Sequence, residues 1–289
     1  VPAGWSVSPA SRPFALAQGG EKTRLAFSLT APAQTATGSV LAVAEIGGVT
    51  FSHRRTEIRY DHLPLQLLQA PARLKVAAFA HATRGQAVGY LPGAGDATVE
   101  ALEQLGYTVK TLTGADLTAE KLRGLDAVVI GVRAFNERAD LAANFPGLLA
   151  YVEAGGTVIA QYNRPNGLKA QQLGPYKLSI AGPAPALRVT EEDAPVVFLA
   201  PDHAVLTRPN RLGPADFVGW VQERGAYFPS SWDEERYVPV LAMNDPGEQP
   251  LKSSLLVAKH GKGFYVYTGL AFFRQLPAGV PGGVRRPGG

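Results

Sequence analysis

The chain has 289 residues, 46% of them hydrophobic, with 28 Lys and Arg against 24 Asp and Glu. That length suggests about two domains, and the apolar content excludes a disordered chain. The net charge of +4 comes from scattered arginines, so no nucleic-acid footprint is expected, and no run of about 18 apolar residues predicts a membrane span.

Residues 1–83 read as β-structure. Residues 25–30 alternate apolar and polar, as a half-buried strand does, and 40–44, 50–60 and 74–79 continue the pattern. Turn signals separate them at 18–21, 31–32 and 47–48. Short strands with no helical period between them predict a sandwich. The proline-marked segment 61–71 is expected to carry the chain across to a last strand. Trp5 and Phe14 are candidate core residues. The opening residues read as the interior of a domain, so the chain is expected to be part of a longer precursor or a processed product.

From about Gln86 the rhythm changes. A strand at 87–91 meets a tight turn at 93–96 and a helix at 98–105 that ends at Gly106. Strand 107–112, a short helix at 117–125, strand 126–131, a helix at 141–153 and strand 157–161 follow. This alternation predicts a mostly parallel sheet covered by helices on both faces, with ligands at the strand C-terminal rim. The last third predicts strands at 196–199, 237–241, 254–258 and 263–268. The domains are thus expected at 1–83 and 84–289.

Cysteine is absent, which excludes disulfides, thiolate metal sites and a cysteine nucleophile. The five histidines lack ligand-like spacing, so no metal and no cofactor are expected.

Seven segments carry a family resemblance: 93–96 (GAGD), 131–136 (GVRAFN), 161–163 (QYN), 200–203 (APDH), 219–225 (GWVQERG), 244–247 (NDPG) and 267–276 (YTGLAFFRQL). Together they resemble the C-terminal region of large bacterial PIG-L/LmbE family deacetylases, and segments 1–9 and 29–32 resemble their sandwich module more weakly. The resemblance implies an NPCBM-associated Ig-like sandwich followed by a flavodoxin-like, class I glutamine amidotransferase-like domain close to the ThuA group. It also implies an extracellular or periplasmic location and an attached or separate deacetylase domain as partner. The family's zinc motif is missing here, so this chain cannot supply the deacetylation chemistry. The tail 281–289 departs from the family pattern as well.

In a class I amidotransferase the nucleophile sits on a strand-to-helix elbow. By strand order that elbow follows residues 157–160, where Gln161, Tyr162 and Asn163 offer no thiol or serine hydroxyl. Gln161 and Asn163 can still bind through their amides. Gly93, Gly95 and Asp96 form either an anion-binding turn or a plain turn with Asp96 as helix cap. Arg133 and Asn136 should reach the same rim, Arg133 as a carboxylate or phosphate clamp or in a structural ion pair. Asp202 and His203, alone or with Glu223, form a weak acid–base set or a simple turn. Trp220, Gln222, Glu223, Arg224 and Tyr227 suit a sugar ring, or Trp220 is core with Glu223 and Arg224 structural, and Arg274 is a last candidate. Three functions follow: an accessory region that binds glycan or amino sugar or organises a multidomain enzyme; a divergent hydrolase at the sheet rim; and a structural spacer.

Overall fold

The computed structural model describes residues 1–280; the tail 281–289 lies outside them. The chain divides into two compact units, Val1–Ala80 and the remainder from His81.

The first unit is wholly antiparallel. Strand β1 (Ser6–Ser8) pairs with β2 (Ser28–Thr30), and β3 (Ala36–Leu41) precedes a small hairpin, β4 (Ala44–Ile46) and β5 (Val49–Phe51). Strand β6 (His53–Tyr60) forms a long hairpin with β7 (Leu63–Pro71), and β8 (Arg73–Ala78) returns to β3. Backbone bonds from Ala72 to Ser52 and from Ala42 to Ala72 connect the two longer ladders. The segment expected to cross over, 61–71, is therefore itself a strand. Its prolines fit because Pro71 ends the ladder and Pro64 lies beside the register shift between Ile58 and Tyr60, where a missing N–H is tolerated. Four separate two-stranded pairs result. Val76, 8% exposed, is the unit's one buried hydrophobic residue, while Phe27, Phe51, Leu65, Leu68 and Leu74 are exposed. Trp5 and Phe14 are half-buried.

The second unit holds β9 (Ala87–Leu91), α1 (Thr98–Gln104), β10 (Thr108–Thr111), β11 (Ala127–Ile130), α2 (Ala134–Glu137), α3 (Ala139–Glu153) and β12 (Thr157–Gln161). After these come β13 (Leu178–Ser179), β14 (Val196–Phe198), α4 (Ala204–Thr207), β15 (Ser231–Trp232), β16 (Tyr237–Met243), β17 (Leu251–His260), β18 (Gly263–Thr268) and α5 (Phe272–Gln275). One eight-stranded sheet runs β10-β9-β11-β12-β18-β17-β16-β14. Its first five strands are parallel and the last three antiparallel. By order of appearance the parallel half reads 2-1-3-4-5, the flavodoxin-like doubly wound order.

Alternation along the buried strands explains the two layers. Val128, Ile130, Val158 and Ala160 pack with Leu141, Phe145, Leu148 and Val152 of α3. Val88, Tyr90 and Val129 face the other way, against Val99 and Leu102 of α1. Each fully buried leucine in such a layer stabilises the fold by about 1.5–3 kcal/mol. The helix expected at 117–125 is replaced by a 3-10 turn at Gly114–Asp116 and further turns. Leu117 and Leu122 are buried there nonetheless.

Candidate functional site

The strand C-terminal ends deliver four loops to one rim: 92–97 after β9, 131–133 after β11, 162–164 after β12 and 269–271 after β18. Two of them close on each other. The Ala94 N–H donates to Val132 O at 2.8 Å, and a Cβ on Gly93 would lie 2.0 Å from that oxygen, so only glycine fits. The Asp96 carboxylate accepts from the Tyr90 hydroxyl at 2.7 Å, the Thr98 N–H at 2.9 Å and the Val132 N–H at 3.3 Å. Asp96 thus braces the loop from one residue before the helix cap, which is Ala97. Burial and the neighbouring Asp96 push the Tyr90 hydroxyl pKa far up. Gly95 is exposed in the same turn.

Asn163 and Asn136 are fully used by the fold. Asn163 is 0% exposed; it accepts from Phe135 N–H and donates to Gln161 O, each at 3.0 Å. Asn136 donates to Arg164 O and Asn166 O and accepts from Arg164 N–H. Gln161 is also 0% exposed, yet neither of its amide atoms has a partner.

Tyr162 is the centre of a cluster. Its ring stacks on Tyr227, with centroids 5.8 Å apart and planes 24° apart, and leans on Phe273 at 5.3 Å. Arg274 lies over Phe273 at 5.1 Å; it donates through Nε to Glu223 at 2.9 Å and through a terminal nitrogen to the Gln222 side chain. The Arg133 N–H donates to Tyr162 O at 2.8 Å, and its guanidinium pairs with Glu137 at 2.5 Å. Arg133 Nε is buried without a partner. Burial raises the Tyr162 pKa, partly offset by Arg274, Arg133 and Arg164, with Glu223 acting in the same sense as burial. Among the described residues, the only non-glycine residues with positive φ are Arg133 (58°), Gln222 (72°) and Tyr227 (51°). All three belong to this cluster. Such backbone costs about 1–3 kcal/mol per residue and gathers where function requires a fixed geometry.

Arg224 and Trp220 are buried in the interior and are not part of the cluster. Each is 5% exposed. Trp220 donates to Asp216 O at 2.9 Å and packs on Phe217. Arg224 donates to Ala194 O at 3.0 Å and to Phe217 O, with its guanidinium 5.7 Å from the Trp220 ring centre. Its backbone is held by Val189 O and Ala271 N–H. Next to it, a Cβ on Gly225 would meet Gly269 O at 2.5 Å, so glycine lets this segment lie against the loop after β18. Arg224 therefore positions Glu223 and Tyr227 from inside. This anchoring is invisible in sequence, because its acceptors are backbone carbonyls distant along the chain.

Asp202 and His203 stand apart from this arrangement. His203 caps α4, its Nδ1 accepting from Val205 N–H at 3.2 Å, and Asp202 is exposed. No group of three His, Asp or Glu residues among those described could hold a metal ion. Sequence reading passed over Phe273 and Arg164, and gave Tyr162 no role although it sits in the elbow segment itself.

The fold and the rim together define a doubly wound flavodoxin-like domain, extended by an antiparallel half and carrying an aromatic–guanidinium cluster. No family model matches the chain, and no curated protein matches it. Among solved structures, a protein from Bacteroides uniformis described as ThuA-like is 15% identical; the match covers 67% of this chain and 84% of that one, with a TM-score of 0.41. A cytoplasmic protein from Salmonella typhimurium is 14% identical, over 81% and 85%, at 0.37. An exo-β-1,4-mannosidase from an Opitutaceae bacterium is 13% identical, over 67% of this chain and 32% of its own, at 0.40. The assignment of the fold rests on the strand order above.

Proposed function

We propose that this chain is a non-catalytic accessory region of a PIG-L/LmbE-related, N-acetylglucosaminyl deacetylase-type protein, working outside the cytoplasm, and that its α/β domain binds a glycan or amino sugar. In this reading the domain is of class I amidotransferase and ThuA-like type, and residues 1–80 derive from an Ig-like, NPCBM-associated sandwich. The antiparallel pairing of that unit supports the second assignment.

The observation that carries the binding reading is that Arg133, Gln222 and Tyr227, all in left-handed backbone, join the Tyr162–Phe273 cluster, Arg133 by its N–H to Tyr162 O, Gln222 through Arg274 and Tyr227 by stacking. Aromatic faces flanked by hydrogen-bonding groups suit the apolar face and hydroxyls of a sugar. At the elbow, where a hydrolase of this class needs a nucleophile, the chain presents Tyr162, and burial keeps its phenol protonated. The acid–base set of the hydrolase alternative gains no support, since His203 caps a helix and Glu223 is held by Arg274.

Thermal-shift measurements against amino sugars, chitooligosaccharides and neutral hexoses test this. A ligand that binds only the folded state raises Tm by mass action. The expected result is a rise lost in Tyr162→Ala and Phe273→Ala. No shift with any sugar would leave the spacer as the better account.

A further inference from the structure

We infer that the rim site selects a sugar bearing a ring carboxylate over a neutral one, with Arg133 as the group that reads the carboxylate. This rests on the binding reading above. Three guanidinium groups, Arg133, Arg164 and Arg274, act on the Tyr162 hydroxyl, against the single carboxylate of Glu223. Arg274 is already committed to Glu223 and Gln222. Arg164 is exposed and makes no ion pair among the described residues.

Arg133 is half used. One terminal nitrogen meets Glu137 and the other has no partner among the described residues, while Nε lies buried behind them. A guanidinium offers parallel N–H donors that match a carboxylate. A neutral sugar offers the fork only uncharged hydroxyl or amide oxygens, whereas a ligand carboxylate offers two charged ones. Glu137 stands in for it. Its side chain is 42% exposed, and so exposed an ion pair is weak enough to be exchanged. The left-handed backbone at Arg133 and its N–H bond to Tyr162 O fix the fork beside the aromatic platform. Glu137 is therefore a competitor of the ligand, and removing it should strengthen binding.

Isothermal titration of the full chain with glucuronic acid, glucose, N-acetylglucosamine and glucose 6-phosphate tests the inference. Glucuronic acid is expected to bind about tenfold tighter than glucose, the gain of one charge-assisted contact. That preference should vanish in Arg133→Gln and shrink in Arg164→Gln. In Glu137→Gln, a surface change that leaves the fold intact, affinity for glucuronic acid should rise severalfold. Equal affinity for the acidic and neutral sugars would overturn the inference and leave the binding reading standing. Tighter binding of glucose 6-phosphate than of glucuronic acid would overturn the carboxylate assignment in favour of phosphate. No binding of any sugar would remove both readings.

Discussion

Replacement of Arg224 separates a structural role from a ligand-binding one. Its guanidinium is buried and donates to Ala194 O and Phe217 O, and it lies 5.9 Å and 5.7 Å from the Phe217 and Trp220 ring centres. Hydrogen bonds from a charged donor contribute about 1.5–3 kcal/mol each, and both acceptors would be left unpaired in the interior. The cation–π contacts add about 1 kcal/mol. Desolvation, which lowers this guanidinium's pKa, sets part of that against the gain. The net loss for Arg224→Ala is then about 3–6 kcal/mol, a large share of the roughly 5–15 kcal/mol that holds a domain together. Urea unfolding followed by tryptophan fluorescence measures it, because Trp220 reports directly on the site. Arg224→Lys keeps the charge but not the fork and should lose about half as much. An Arg224→Ala protein that unfolds within about 1 kcal/mol of the parent, while losing sugar binding, would refute the argument and return Arg224 to the ligand site.

Three further outcomes are expected. Gln161→Leu removes an amide that is fully buried with no partner, so stability should hold or rise by about 1 kcal/mol; a loss above about 2 kcal/mol in the same urea assay would show that the amide has a role. Asp140 is held below the ordinary carboxylate pKa by Arg138, and Asp126 by the N–H groups of Gln86 and Ala87. At Asp245 burial pushes upward, but the N–H groups of Glu191 and Thr190 outweigh it. Folded pKa values below the unfolded ones stabilise above the unfolded pKa, so the urea midpoint should be flat above about pH 5 and fall below about pH 4, with a shallower fall in Asp126→Asn. Limited proteolysis, read by mass spectrometry, should cut within residues 1–80 first, because Val76 is that unit's one buried hydrophobic residue; first cuts inside the eight-stranded sheet would contradict this.

The parallel half of the sheet was legible because its strands are short, continuous apolar runs such as Ala127–Ile130, bounded by turns and alternating with helical segments. The segment 117–125 misleads because Leu117 and Leu122 are both buried, as helix residues would be. Here Asp116 instead bonds backward to Thr113, and Gly124 takes a positive φ, so the chain turns. The hairpin at Leu63–Pro71 was hidden by its prolines, whose placement at a ladder end and beside a register shift is a property of the pairing rather than of the segment. The sandwich expectation rests on alternation, which predicts strands well. Alternation does not say whether two sheets meet, and here the strands form separate pairs.

The rim was legible in outline and blurred in detail, for one physical reason. Trp, Tyr, Arg and Glu serve equally well inside a domain and at a ligand site, and residues 220–227 contain both uses within eight positions. Trp220 and Arg224 face the core, where backbone carbonyls satisfy them. Glu223 and Tyr227 reach the rim, where Arg274 and Tyr162 meet them. No periodicity separates the two sets, because the segment is neither helix nor strand. What separates them is the left-handed turn at Gln222 and again at Tyr227. Those two positions reverse the direction of the side chains and carry no sequence signal, since neither is Gly or Asn. Strain of this kind is retained only where packing over-determines it. Arg224, held on both sides of its backbone and at two carbonyls, supplies that packing between Gln222 and Tyr227.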